Sequence, residues 1–152
     1  MTSIELHDVS AAALADAVEA IVSGGVALTA RALAHTTHGL ELTFPQWRVL
    51  VVLGQVPSGL RISIVAARIS GSLPATSRLL QRLARRGLVA LAADPDDGRA
   101  TLASLTSEGW AIRAAIVAYR RTFLDELITD VEASGDIARA LGQLATALAT
   151  VV

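Results

Sequence analysis

Residues 72–99, SLPATSRLLQRLARRGLVALAADPDDGR, carry the pattern that decides the fold of this chain. Ser72 stands where a serine caps a helix, and Gly87 where a glycine follows a helix end. Between them Thr76, Leu79, Leu80 and Leu83 fall on one side of a helical wheel, so this helix from about 73 to 86 has an apolar stripe for a core. After Gly87 the period changes. Leu88 to Ala93 and Arg99 to Leu105 are short apolar runs separated by Asp94-Pro95-Asp96-Asp97-Gly98, a loop whose residues suit a type I turn followed by a glycine of positive φ. The stretch predicts a helix leading into a β-hairpin.

Upstream, Thr43-Phe44-Pro45-Gln46 is a helix start: Thr43 caps, Gln46 returns the bond three residues later, and Pro45 occupies the first turn. The helix it opens runs from about 44 to 55 and stops at Val56-Pro57-Ser58-Gly59. An extended piece, Leu60 to Ile62, meets Ser63 as cap of a short helix over Ile64 to Ile69, and Ser70-Gly71 makes a tight turn into the helix already described. Two short helices joined through a glycine-containing turn make a helix-turn-helix pattern.

The two ends read as long helices. Leu14, Val18, Ile21, Val22, Val26, Leu28 and Leu33 recur at helical spacing in the first forty residues. Ser23-Gly24-Gly25 interrupts them, as a kink or as a place where another helix comes close; the sequence leaves both open. Behind the hairpin, Thr106 or Ser107 starts a helix in which Trp110, Ala114, Val117, Leu124, Ile128 and Val131 share a seam. Ser134-Gly135 breaks it, and Ile137, Leu141, Leu144, Leu148 and Val151 then alternate steps of four and three, the spacing of a coiled-coil seam.

The chain has 152 residues, enough for one domain or a tight pair of subdomains, and 53% of them are apolar against 18% charged, which excludes general disorder. Without cysteine there is no disulfide, thiolate metal site or cysteine nucleophile. The longest charge-free stretches, Val49 to Leu60 and Ala140 to Val152, fall short of the ~18 to 20 residues of a spanning helix, and no secretory signal precedes Asp16; the expectation is a cytoplasmic protein with no membrane partner. The formal net charge of −1 hides a segregation. Residues 1–41 hold five acids and one arginine, residues 42–93 hold seven arginines and no acid, and residues 94–152 hold nine acids and five arginines. All thirteen bases are arginine, the planar fork that grips phosphate or guanine through two hydrogen bonds.

On the helix from 73 to 86, Arg78, Arg82, Arg85 and Arg86 fall within about 100° of one another, beside the apolar stripe. Like charges at i and i+4 destabilise a helix by about 0.2–0.5 kcal/mol per pair, and no acid on this helix offsets them. Phosphates would. Ser77, Arg78, Gln81 and Arg82 project where a helix in the major groove meets base edges and backbone. Arg99, just past the turn, stands where an arginine enters a narrow minor groove, and Asp97 is placed to orient it by a salt bridge.

Arg78-Leu79-Leu80-Gln81-Arg82-Leu83, Arg86-Gly87-Leu88-Val89, Asp94-Pro95-Asp96-Asp97-Gly98-Arg99 and Leu105-Thr106 with Gly109 together resemble the winged helix-turn-helix of the MarR family of bacterial transcriptional regulators, most sharply over about 44 to 109. The resemblance implies a mainly α fold with a small β-hairpin wing. An N-terminal dimerisation helix (1–40) and C-terminal dimerisation helices (108–152) flank a DNA-binding lobe (41–107). It implies a homodimer on a pseudo-palindromic operator, recognition helices in successive major grooves and wings in the flanking minor grooves. It also implies repression relieved by a small aromatic or phenolic effector, with no cofactor. The candidate DNA contacts are Arg61, Ser72, Ala75, Ser77, Arg78, Gln81, Arg82, Asp97 and Arg99; the effector-pocket candidates are His35, His38, Trp47 and Arg48, Trp47 being as well placed in a core. One departure stands out: Ala90-Leu91-Ala92-Ala93 occupies the first wing strand where the family carries basic residues, which weakens the wing's hold on phosphate. Gly98 makes the wing tip more flexible.

His35 and His38 have the spacing of a metal pair but no third ligand nearby. Asp94, Asp96 and Asp97 lack the later glutamate of a calcium loop, so they read as turn formers. There is no phosphate-binding loop, serine elbow or convincing acid pair, and no enzymatic activity is expected. A second reading competes with DNA binding: a helical small-molecule-binding or protein-interaction module of the same fold that has lost its hold on DNA.

Overall fold

The computed structural model describes residues 11–36, 40–129 and 135–151. Along the chain these form α1 (Ala11–Thr36), α2 (Phe44–Leu53), β1 (Leu60–Arg61), α3 (Ile62–Arg68), α4 (Leu73–Arg85), β2 (Val89–Ala93), β3 (Thr101–Leu105), α5 (Ser107–Thr129) and α6 (Gly135–Val151). This is the mainly helical fold with a small antiparallel wing that the sequence predicted. His38, Val131 and Ser134 lie outside the described residues, as do the side chains of Leu148 and Val151.

Local chemistry sets the helix ends of the central lobe. The Gln46 side-chain oxygen accepts the Thr43 backbone N–H at 3.0 Å, which is the return bond of the capping box. Ser72 Oγ accepts the Ala75 N–H at 3.4 Å, and Pro74 lies in the first turn of α4. At the other end Gly87, at φ +72°, lets its own N–H reach the Ala84 carbonyl (2.9 Å) while Leu88 N–H reaches Leu83 (3.0 Å). Those are the paired bonds of a Schellman turn, and Leu83 and Leu88 bury together beneath it. The α3–α4 turn uses the same geometry with Ser70, not a glycine, in the left-handed region at φ 54°.

Three details depart from expectation. α3 begins at Ile62 with Arg61 as N-cap and no capping side chain, so Ser63 is inside the helix. The reason is a strand the sequence left unpaired: Leu60 and Arg61 pair antiparallel with Ala103 and Leu102, which completes a three-stranded sheet of order β1-β3-β2. Gly98 does not take a positive φ. The wing loop closes instead through aspartates: Asp97 Oδ1 accepts the Arg99 N–H (3.1 Å), the Asp97 carbonyl accepts the Ala100 N–H (2.8 Å), and the Asp94 N–H reaches the Ala100 carbonyl (2.9 Å).

The core lies in this lobe. Trp47, Val49, Leu50 and Leu53 of α2, Val65 of α3, Leu79, Leu80 and Leu83 of α4, Leu88 just before β2, and Val89 and Ala103 of the sheet form one buried cluster, which Ile116 of α5 and Ala32 and Leu33 of α1 cover from outside. α1 runs unbroken through Ser23-Gly24-Gly25, and a Cβ built on either glycine would meet nothing within 4 Å. Only its C-terminal part, Leu28, Thr29, Ala32 and Leu33, is buried, packing with α5, where Arg31 lies over the Phe123 ring at 5.3 Å. Upstream, Leu14, Ile21, Val22 and Val26 are exposed, as are Leu124, Leu127 and Ile128 of α5 and Ile137 and Leu141 of α6. By length and composition α1 is long and apolar enough to cross a bilayer, with a mean hydropathy of 1.6. Counting charge-free stretches missed this, because Asp16, Glu19 and Arg31 divide the helix without making it polar.

Candidate nucleic-acid interface

α4 stands proud of the lobe because only one side of it is anchored. Thr76, Leu79, Leu80 and Leu83 are buried, and Arg78, Gln81, Arg82 and Arg85 are exposed. The side chains of Arg78, Gln81 and Arg82 make no hydrogen bond or ion pair among the described residues. The fourth arginine of the expected stripe behaves differently. Arg86 is half-buried, and its Nη1 donates to Gln46 Oε1 at 3.1 Å and to the Glu41 carbonyl at 3.4 Å, so it clamps the end of α4 to the start of α2. Ser72 is occupied as the N-cap, and Ala75 is exposed one turn before Leu79.

The wing approaches the other flank of α4. A cleft of about 340 Å³ between them is lined by Arg61, Ser63, Leu73, Ser77, Arg99 and Thr101, so the structure brings Arg61, Ser77 and Arg99 to one space. Asp97 is not part of it. Its carboxylate is spent on the Arg99 backbone N–H, and the expected Asp97–Arg99 salt bridge is absent among the described residues. The carboxylate that does hold an arginine is Asp94. It is buried at 6% exposure, accepts the Asp96 N–H at 2.9 Å, and takes the Arg61 Nε at 2.5 Å. Sequence reasoning gave Asp94 a turn-forming role alone. Its partner lies thirty-three residues upstream, on a strand visible only once the sheet has formed.

The Asp96 backbone N–H, and after it the Arg61 guanidinium, hold the Asp94 carboxyl below the usual carboxylate range, although burial pushes the other way. The same contact raises Arg61 above its ordinary value. A hydrogen-bonded pair, its aspartate buried and its arginine 41% exposed, thus ties the base of the wing to β1, and the Arg61 Nη nitrogens have no partner among the described residues. Ala90, Ala92 and Ala93 of β2 are exposed, so the first wing strand offers no cation of its own.

The three effector-pocket candidates that the structure describes lie in different surroundings. Trp47 is in the core at 4% exposure. Arg48, one residue on, faces a separate cleft of about 390 Å³ with Phe44, Ile69, Thr76, Leu79 and Arg82. His35 is exposed and stacks on Tyr119, the ring centroids 5.3 Å apart, and His38 lies outside the described residues. Among the described residues no cluster of three histidine, aspartate or glutamate side chains could hold a metal.

Comparison with known proteins shows what this geometry is similar to. Residues 38–100 match the sequence model of the MarR family. No curated protein sequence matches the chain. Among solved structures, RV1404 from Mycobacterium tuberculosis is 26% identical, with a TM-score of 0.78 over 91% of this chain and 93% of that one. The PcaV transcriptional regulator from Streptomyces coelicolor, solved with its natural ligand, is 24% identical with a TM-score of 0.60 over 99% and 98%. A MepR mutant from S. aureus bound to an oligodeoxyribonucleotide is 20% identical with a TM-score of 0.62 over 90% and 97%. Residues 38–100 thus match the sequence model of the MarR family, and the chain as a whole is similar in its winged-helix fold to these regulators.

Proposed function

We propose that this chain is a sequence-specific, DNA-binding transcriptional regulator that acts as a homodimer. The observation that carries the reading is the outward face of α4. Arg78, Gln81 and Arg82 are exposed and have no side-chain partner among the described residues, no carboxylate lies on the helix, and Arg99 of the wing stands across a shared cleft. An apolar stripe anchors the helix while a row of mutually repelling guanidiniums points away from it; that repulsion is relieved by a polyanion. In this reading α4 enters the major groove, Ser77, Arg78, Gln81 and Arg82 meet base edges and phosphates, Ser72 and Ala75 lie at its entry, and Arg99 enters the minor groove. Asp97 shapes the wing tip through backbone hydrogen bonds, and Arg61 both contacts DNA and braces the wing.

Residues 41–107 serve as the DNA-binding lobe, and residues 1–40 and 108–152 as the dimerisation arms. The exposed apolar residues of α1, α5 and α6 supply the interface, and the bare Gly24-Gly25 surface lets a second copy's backbone come close. Repression from a cytoplasmic location, relieved by an effector, follows the usage of the family. The test is fluorescence anisotropy on DNA from upstream of the protein's own gene. A dimer that engages about six phosphates loses about a thousandfold in affinity between 50 and 200 mM salt; flat salt dependence, or no sequence preference, refutes the reading. A second reading, a module of the same fold that no longer holds DNA, is favoured by the exposed alanines of β2. It predicts dimerisation and small-molecule binding with no affinity for any genomic fragment.

A further inference from the structure

We propose that the open edge of β2 pairs antiparallel with β2 of a second copy of this chain, centred on Leu91, so that the wing joins two molecules through a continuous sheet. The pairing rests neither on the DNA-binding reading nor on the helical arms.

β2 lies at an edge of the sheet, with β3 as its strand neighbour in the order β1-β3-β2. The ladder shows which of its backbone groups are spent. The Asp94 N–H reaches the Ala100 carbonyl and the Thr106 N–H reaches the Leu88 carbonyl; between these bonds Ala90 stands opposite Ser104 and Ala92 opposite Leu102. Bonded and unbonded residues alternate along an antiparallel strand. Ala90 and Ala92 therefore bond β3, while Val89, Leu91 and Ala93 turn N–H and C=O outward. Soluble proteins guard such an edge with charge, proline or a bulge. From Gly87 to Ala93 there is no charged residue and no proline, and the register with β3 runs without a bulge. The opposite edge is guarded, since β1 has only two residues and one of them is Arg61, held by Asp94.

The outward groups select a second copy as the occupant because they are self-complementary. About a two-fold axis at Leu91, Val89 exchanges bonds with the second copy's Ala93, Leu91 with its own counterpart, and Ala93 with the second copy's Val89. A shift to either side leaves one end unpaired. The side chains fit this register: half-buried Leu91, which packs on the core, is covered on its open side by its counterpart, and exposed Ala90 meets the equally small Ala92. The ends attract as well. Antiparallel pairing brings exposed Arg85, just before one strand, toward exposed Asp96 and Asp97, just after the other, while Arg99 of that loop lines the cleft beside α4. There is room at both ends, because a Cβ on Gly87 or Gly98 would meet nothing within 4 Å. Strands of five residues cover less than the ~1,200 Å² of a stable interface, so the pairing is weak and grows with concentration.

The test is self-association of the full-length protein without DNA. Sedimentation velocity over a hundredfold range of concentration should show species larger than the one present at the lowest concentration. Over the same range, amide hydrogen exchange should slow at least fivefold at Val89, Leu91 and Ala93 and stay unchanged at Ala90 and Ala92, whose N–H groups β3 already holds. Mixed labelled and unlabelled protein should give intermolecular Overhauser contacts between Ala90 Hα and the second copy's Ala92 Hα. Ala93→Pro removes an outward N–H and no bond to β3, and should abolish the larger species while the smaller one persists. The double variant Ala90→Lys/Ala92→Lys, which sets lysines opposite one another, should do the same and keeps the test decisive if the proline disturbs the wing. No larger species at the highest soluble concentration, growth that the folded variants leave intact, or protection confined to other residues overturns the proposal. Protection of Val89, Leu91 and Ala93 that is independent of concentration also overturns it, since the edge is then covered without a second wing. Loss of DNA binding leaves every one of these outcomes unchanged, so the two readings fail separately.

Discussion

Gly109→Ala is the substitution whose cost the structure fixes most closely. Gly109 is buried in the first turn of α5, and a Cβ there would sit 2.1 Å from the Leu88 carbonyl oxygen, 3.1 Å from its carbon and 3.3 Å from Leu105 Cδ2. Relief requires the two backbones to part by about 1 Å, and both are tethered. The Leu88 carbonyl accepts the Thr106 N–H (3.2 Å) while its own N–H is held by Leu83, and Thr106 Oγ1 donates to the Gly87 carbonyl (2.6 Å) while accepting the Gly109 N–H (3.1 Å). Losing two of these bonds costs about 1 kcal/mol each, overpacking adds about 1–3 kcal/mol, and a better helix former returns about 1 kcal/mol. The net is about 2–4 kcal/mol, or a fall in Tm of about 5–15 °C for a chain of this size. Thermal unfolding followed by circular dichroism, at one protein concentration because a dimer's Tm depends on it, measures the shift. Gly98→Ala is the control, because a Cβ there meets nothing within 4 Å, and it should stay within about 2 °C of the parent. A Gly109→Ala protein that melts as the parent does refutes the packing argument. Because Leu88 leads into β2 and α5 belongs to the arm proposed for dimerisation, the folded variant should also bind DNA more weakly.

Arg78→Ala and Arg99→Ala should each weaken operator binding by about 1–3 kcal/mol in anisotropy titrations; unchanged affinity in both would refute the docking geometry. Arg86→Ala should behave oppositely, losing about 1–2 kcal/mol in urea unfolding as Gln46 loses a charged donor, with the salt slope of DNA binding unaltered. Asp94 titrates lower in the folded protein than in the unfolded chain, so its contribution is complete above the ordinary carboxylate pKa of about 3.9 and drains away as pH falls through the depressed folded value. The urea midpoints of the parent and Asp94→Asn should therefore differ most at pH 7 and draw together only as pH falls below the ordinary carboxylate range; a gap independent of pH would show that the ion pair is not its source. Ser70→Gly, which releases a left-handed serine, should raise stability by about 0.5–1 kcal/mol in the same assay.

Much of this molecule is written locally. The caps at Ser72 and Gln46, the left-handed Gly87, the change of period after it, and the split of α4 into an apolar stripe and an arginine face each depend on residues within a few positions of one another. Helix and turn propensities act over that range, and the fold class and the face of α4 follow from the sequence alone. What required the tertiary structure involves partners far apart in the chain. Pairing of Leu60 and Arg61 with β3 moved the start of α3 and gave Asp94 an ion pair with Arg61, where the sequence predicts one between Asp97 and Arg99. Arg86, indistinguishable by sequence from Arg82, became a clamp because its side of α4 faces Gln46, while Arg82 has no partner among the described residues. Trp47 and Arg48 are neighbours in sequence, yet one is in the core and the other in a cleft, since adjacent residues on a helix point about 100° apart. Which arginine stays available to a ligand or to DNA is decided by what packs against it, and packing is a property of the folded chain.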